Sequence, residues 1–185
     1  MINHIDLGTV LRRAVCDFYS DLVTRPTGAV VRSAIEQQLA EMGERTLTVI
    51  DFSRVGLLDF SCADEIVAKL LLQYAGGESP SERYFLFRGV SESHLDAIEA
   101  VLERHGLATV AECTDGGTML VGRLGDEERR AWEIICRLGR AAAPALARES
   151  TLSVDACEAL LESLCRRRLI MQDDDAYVPV VALVA

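Results

Sequence analysis

Lysine is almost missing from this 185-residue chain, with Lys69 standing alone against eighteen arginines. Aromatics make up 5%, there are four prolines, and no window reaches eighteen consecutive apolar residues. Collagen, a coiled coil and a membrane-spanning helix are thereby excluded. No C-x-x-C pair and no Cys/His ligand spacing occurs among the six cysteines at 16, 62, 113, 136, 157 and 165. That removes a disulfide scaffold and a metal module, and the cysteines are read as reduced core thiols. The first residues, Met-Ile-Asn-His-Ile-Asp-Leu-Gly, lack the basic and apolar regions of an export signal, so the expected location is cytoplasmic. What is present is ample core material: half the residues are apolar and 26% are charged. A chain of this length hides roughly 70% of its unfolded surface. Nineteen basic against 29 acidic residues leave a formal charge of −10, which repels phosphate backbones and anionic membranes.

Residues 46–52, Thr-Leu-Thr-Val-Ile-Asp-Phe, form a largely apolar run and predict a strand covered on both faces. A loop from Ser53 to Asp59 leads to a helix. Ser61-Cys62-Ala63-Asp64 has the form of a capping box, Ala63, Ile66, Val67, Leu70, Leu71 and Tyr74 recur at helical spacing, and Gly76-Gly77 is the expected stop. The unit repeats: a strand at 84–87, a helix opened by the Ser91/Ser93 region and ended by Gly106, and a strand at 107–113. Asp115-Gly116-Gly117 then turns into 118–122. Upstream, a helix is predicted over 29–42 and an extended piece over 10–24. Strands alternating with helices of about a dozen residues predict an α/β layer with a mainly parallel sheet.

The pattern changes at Gly125. Helices are predicted over 126–138, over 141–148 with Pro144 as an interruption, and over 153–168. Two short strands then flank the turn Asp173-Asp174-Asp175, and an apolar tail, 180–185, is expected to pack on the body or on a second subunit. Three helices and a hairpin describe a winged helix-turn-helix, so the expected division is 1–124 and 125–185.

The stretch Val49-Ile50-Asp51-Phe52-Ser53-Arg54-Val55-Gly56-Leu57-Leu58-Asp59-Phe60-Ser61-Cys62-Ala63-Asp64-Glu65-Ile66 resembles the central strand, loop and helix of STAS domains, the fold of bacterial anti-sigma factor antagonists. The similarity covers roughly residues 10–123 and is nearest the STAS-like branch of that family. The resemblance implies a STAS-like mixed sheet with helices that binds a GHKL-type ATPase kinase or an anti-sigma factor. It also implies that a serine at this helix start can accept phosphate. Where the antagonists carry Asp-Ser-Ser/Thr-Gly, this chain has Asp59-Phe60-Ser61-Cys62, so Ser61 is the one candidate acceptor. Ser53, Asp59, Ser61, Asp64 and Glu65 are the partner-binding candidates. As a plain cap, Ser61 would be worth about 1 kcal/mol.

Arg25, Thr27, Gly28 and Arg32 are an alternative anion cradle at a helix start, without P-loop spacing; capping and surface ion pairs are the plainer roles. His4, His94 and His105 are read as solvated, and no catalytic motif is present, so an enzyme is not expected. Residues 126–185 hold eight arginines against eleven acids, a balance of −3. The third helix presents Asp155, Glu158 and Glu162 early, while Arg166, Arg167 and Arg168 lie at its end. The expected function is a non-enzymatic regulatory protein docking a protein partner, with a homodimer allowed and no cofactor. The alternative is a DNA-binding regulator acting through Arg166–Arg168, from which the charge leans away. A small-molecule sensor with a pocket near Gly28 or Asp59 comes third.

Overall fold

The computed structural model describes residues 1–43, 45–74 and 82–184, and Gly76-Gly77 falls outside them. The chain is mixed α/β and divides into two compact units, Met1–Arg123 and Leu124–Ala185.

In the first unit, strands β1 (Ile2–Asp6), β2 (Thr46–Asp51), β3 (Arg83–Val90) and β4 (Ala108–Cys113) run parallel in chain order, and β5 (Thr118–Gly122) closes the sheet antiparallel to β4. Each parallel step needs a crossover. The first is made by α1 (Leu7–Ala14) and α2 (Arg25–Ala40), the third by α5 (Glu92–His105). In the second, α3 (Phe60–Ala63), a π turn (Asp64–Ala68) and α4 (Lys69–Tyr74) follow one another without a break. Ile5, Ile50, Phe87 and Ala111 lie in register across the four parallel strands and join the buried side chains of these helices in one core. Leu47, Val49, Tyr84, Leu86 and Val110 on the alternate positions are buried too, so β2 and β3 are apolar on both faces.

Two sequence expectations are corrected here, and one strand is added. Residues 10–24 are not a strand: Leu7–Ala14 is helical because the Asp6 carboxylate accepts the Thr9 N–H at 3.2 Å and caps the helix, leaving Leu22 as an isolated bridge to Leu58. The edge strand β1 was not anticipated. Helix α2 begins at Arg25 rather than 29, because Pro26 fits a first helical turn.

The second unit contains α6 (Asp126–Leu138), α7 (Ala143–Glu149) and α8 (Val154–Arg166), then the hairpin β6 (Ile170–Asp173) and β7 (Ala176–Pro179). Pro144 sits in the first turn of α7 and starts that helix instead of interrupting it. Ala141 and Tyr177 exchange backbone hydrogen bonds at 3.0 and 2.8 Å, which ties the α6–α7 connection to the hairpin. Glu128 accepts the Ser163 hydroxyl at 2.7 Å and pairs with Arg167 at 3.4 Å, fixing α6 to α8. The apolar tail turns into a short 3-10 helix, Val180–Leu183, with Val180 buried and its N–H directed at the Leu169 carbonyl.

Candidate functional site

The loop after β2 is built by short-range polar contacts. Asp51 accepts the Ser53 N–H at 2.8 Å, so the chain turns as soon as the strand ends. Gly89, at φ +66°, takes the left-handed conformation beside Ser53, where a Cβ would collide with the Ser53 hydroxyl and backbone. The loop is then zipped to the segment after α1. Leu22 N–H donates to the Leu57 carbonyl at 2.7 Å, Asp59 N–H to the Leu22 carbonyl at 2.9 Å, and Gly56 N–H to the Ser20 carbonyl at 2.8 Å. The Asp21 carboxylate takes the Leu57 N–H at 3.0 Å. From below, buried His94 closes the joint. Its Nδ1 accepts the Ser91 N–H at 3.3 Å, which makes Nε2 the donor to the Gly56 carbonyl at 2.9 Å, and its ring lies against Phe52. His94 is therefore a structural joint, not the solvated histidine expected from sequence.

Asp59, not Ser61, caps the helix. Asp59 Oδ1 accepts the Cys62 N–H and the Ser61 hydroxyl, each at 2.8 Å, and Oδ2 accepts the Thr24 N–H at 2.9 Å. Burial alone would raise this carboxyl, but the Thr24, Cys62 and Ser61 donors outweigh it and hold it below the ordinary aspartate value. Ser61 is half-buried on the second helical residue, while Ser53 is exposed. The Cys62 thiol donates to the Thr24 carbonyl at 3.0 Å, and burial beside the Asp59 charge pushes it up to about 12, so it stays a protonated thiol.

Asp64 and Glu65 point inward from the π turn and are buried. Asp64 pairs with Arg25 at 2.8 Å and His105 at 2.7 Å; Glu65 pairs with Arg25 at 2.8 Å, Arg32 at 3.2 Å and Lys69. Desolvation opposes ionisation of both carboxyls, and the surrounding cations overcome it, so both lie below their ordinary values. These two residues are thus part of an ionic lattice joining α2, the π turn, α4 and α5, and they are not offered to a partner on the rim. The same lattice engages Arg25 and Arg32, the proposed anion contacts, and His105, read from sequence as solvated. Thr27 shares a hydrogen bond with the Thr24 hydroxyl at 3.1 Å. Gly28 lets α2 approach α3: a Cβ there would stand 2.9 Å from Cys62 Cα and 3.0 Å from Glu65 Cβ. The four cradle residues hold helices together.

What the rim does present is apolar. Phe18 is 96% exposed and Tyr19 is exposed on the segment after α1, while Leu57 on the loop after β2 and Phe60 at the start of α3 are each 60% exposed. Reasoning from periodicity passed over these residues because they stand outside the helical and strand repeats. Large apolar side chains in loops that no repeat accounts for were the available signal.

Arg166 and Arg168 lie at the end of α8, and Arg167 is the Glu128 partner described above. Among the described residues no group of three or more His, Cys, Asp or Glu side chains is placed to hold a metal ion, and no helix is long and apolar enough to cross a membrane. A groove of about 600 Å³ between β1, α1 and α2 and a cavity of about 270 Å³ between α6 and α7 are not lined by Gly28 or Asp59. Of the six free cysteines, Cys62 and Cys157 are buried and Cys16 is exposed, so Cys16 is not a core thiol. Compared with known proteins, the chain matches no family model, no curated protein and no solved structure.

Proposed function

We propose that this chain is a non-enzymatic, cytoplasmic regulatory protein. Its first unit is read as a STAS-like module of the anti-sigma factor antagonist type that docks a GHKL-type ATPase kinase or an anti-sigma factor. Its second unit is read as a winged helix that supplies a second interaction surface. One observation carries this reading: Phe18, Tyr19, Leu57 and Phe60 are exposed on two segments that are hydrogen-bonded to each other, the segments that also carry Ser53, Asp59 and Ser61. Scattered surface apolar residues need no explanation, but four of them on two segments locked together by five hydrogen bonds are held ready for contact.

Ser61 supplies the control point in this proposal. Its hydroxyl donates to Asp59 Oδ1, so a phosphate there would break that bond and set nearly two negative charges against an ionised carboxylate. The expected result is release of the partner.

The test is capture from a bacterial lysate with identification of the bound protein. Wild type and Ser61→Ala should retain an ATPase of this class or an anti-sigma factor, and Ser61→Asp and Leu57→Ser/Phe60→Ser should lose it. Equal capture by all four proteins would overturn the proposal.

A further inference from the structure

We infer that the occupant of this rim is a protein segment whose apolar side chains are bordered by arginine or lysine. The inference rests on the docking reading above and adds the chemistry of the partner.

The apolar residues share their segments with mainly acidic side chains. Asp17 and Asp21 lie on the segment after α1, Asp51 ends β2 and Asp59 closes the loop that follows it, and none of the four is buried. The cation in their midst, Arg54, is engaged with Asp6 at 3.2 Å. Asp59 stays ionised because three donors converge on it. Residues 1–123 as a whole carry eleven basic and eighteen acidic residues, a balance of −7, so the long-range field has the same sign as the local one. Exposed apolar side chains on segments rich in carboxylates discriminate among occupants. Burying them against a second copy would bring these carboxylates against an equally acidic protein, and a membrane surface or a nucleic acid presents anionic phosphate. A segment with apolar anchors flanked by cations buries the apolar side chains and neutralises the carboxylates together, and it would arrive under electrostatic steering.

Two synthetic amphipathic peptides of about 15 residues test this, long enough to approach helix formation. Both carry Leu and Phe on one face; one is flanked by Lys and Arg, and in the other those positions are Glu. Binding to the full chain is followed by calorimetry at about 50 and 300 mM NaCl, where screening differs strongly. The basic peptide should bind, weaken at high salt, and protect the amides of 17–22 and 53–61 from hydrogen exchange. Phe60→Ser and Asp17→Lys should each weaken it roughly tenfold or more. Asp155→Lys, which makes the same change in net charge on the exposed face of α8, should alter it less than about twofold. Equal binding of the acidic peptide, no binding of either, or an equal loss in Asp155→Lys would overturn the inference. A partner captured by wild type, lost in Leu57→Ser/Phe60→Ser and kept in Asp17→Lys would overturn the basic partner while leaving the docking reading standing.

Discussion

Thr24 is the residue at which local conformation most clearly yields to the site. It is β-branched, yet it sits at φ 75° and ψ 137°, a region that L side chains avoid. Such a backbone costs about 1–3 kcal/mol and persists only where surrounding contacts enforce it. Here they are identifiable: the Thr24 N–H is committed to Asp59, and the Thr24 carbonyl receives both the Cys62 thiol at 3.0 Å and the Gly28 N–H at 3.2 Å. All three contacts are made by the backbone of residue 24, so glycine can keep them. Thr24→Gly removes the steric penalty, gives up the Thr24–Thr27 hydroxyl contact, and adds roughly 0.5–1 kcal/mol of unfolded-state entropy. Relief is the larger effect, and the variant should be about 1 kcal/mol more stable, read as a higher urea midpoint at unchanged slope. A lower midpoint would mean that residue 24 is not strained.

At the scale of elements, the helix after β2 owes its placement to an inserted turn. Between α3 and α4 the Lys69 N–H reaches the Asp64 carbonyl five residues back, and such π turns gather at functional or highly constrained positions. Asp64 and Glu65 open that turn and enter the ionic lattice with Arg25, Arg32, Lys69 and His105. The sign of its pH dependence follows from the lowered carboxyl values. The unfolded chain binds protons at a higher pH than the folded one, so the stabilisation is complete at neutral pH. It begins to fade as pH falls through the ordinary carboxylate range and is lost below the folded values. Removing a buried charge from its partners costs about 3–5 kcal/mol, but Arg25 and Lys69 are 51% and 41% exposed, so solvent reduces this. Glu65→Gln should lose about 2 kcal/mol at pH 7 and visibly less near pH 4, measured by urea unfolding. An equal loss at both values would assign the effect to packing rather than charge. Little of this lattice was legible in the sequence. The strand 46–51 announces itself as a continuous apolar run, and the helix of 92–105, α6 and α8 by period, because each of these helices buries a regular stripe. The π turn has no periodic signature. Asp59-Phe60-Ser61-Cys62 offers two cap residues two positions apart; Asp59 takes the Cys62 N–H and is also held by the Thr24 N–H from a distant segment. His94 looked solvated because its buried partner, the Gly56 carbonyl, lies 38 residues away in sequence. The helix start near Asp59 is readable from its cap residues, while the exposure of Phe18, Leu57 and Phe60 and the inward turn of Asp64 and Glu65 depend on tertiary pairing.

For the whole molecule, the sign of the charge bears on whether the second unit can bind DNA. The second unit has three helices and a hairpin, a geometry compatible with entry into a major groove, so shape alone would permit nucleic-acid binding. Its surface opposes it. Asp155, Glu158 and Glu162 are exposed on α8, and Asp173, Asp174 and Asp175 form the exposed hairpin turn. Arg140 is tied to Asp173 and Arg167 to Glu128, and the chain as a whole carries a net charge of −10. Non-specific DNA binding by basic proteins at physiological salt is already only about 10⁻⁴–10⁻⁶ M, and reversing the sign removes its counterion-release term. The protein should therefore leave duplex DNA unshifted at micromolar concentration in about 150 mM salt. Asp155→Lys/Glu158→Lys/Glu162→Lys, which reverses the exposed face without touching buried Cys157, Leu161 or Leu164, should acquire binding that falls steeply with salt. Gain of binding in the triple variant would show that sign, not shape, keeps the wild type off DNA. Salt-dependent retardation by the wild type itself would instead move the primary function to the second unit and make the rim its accessory.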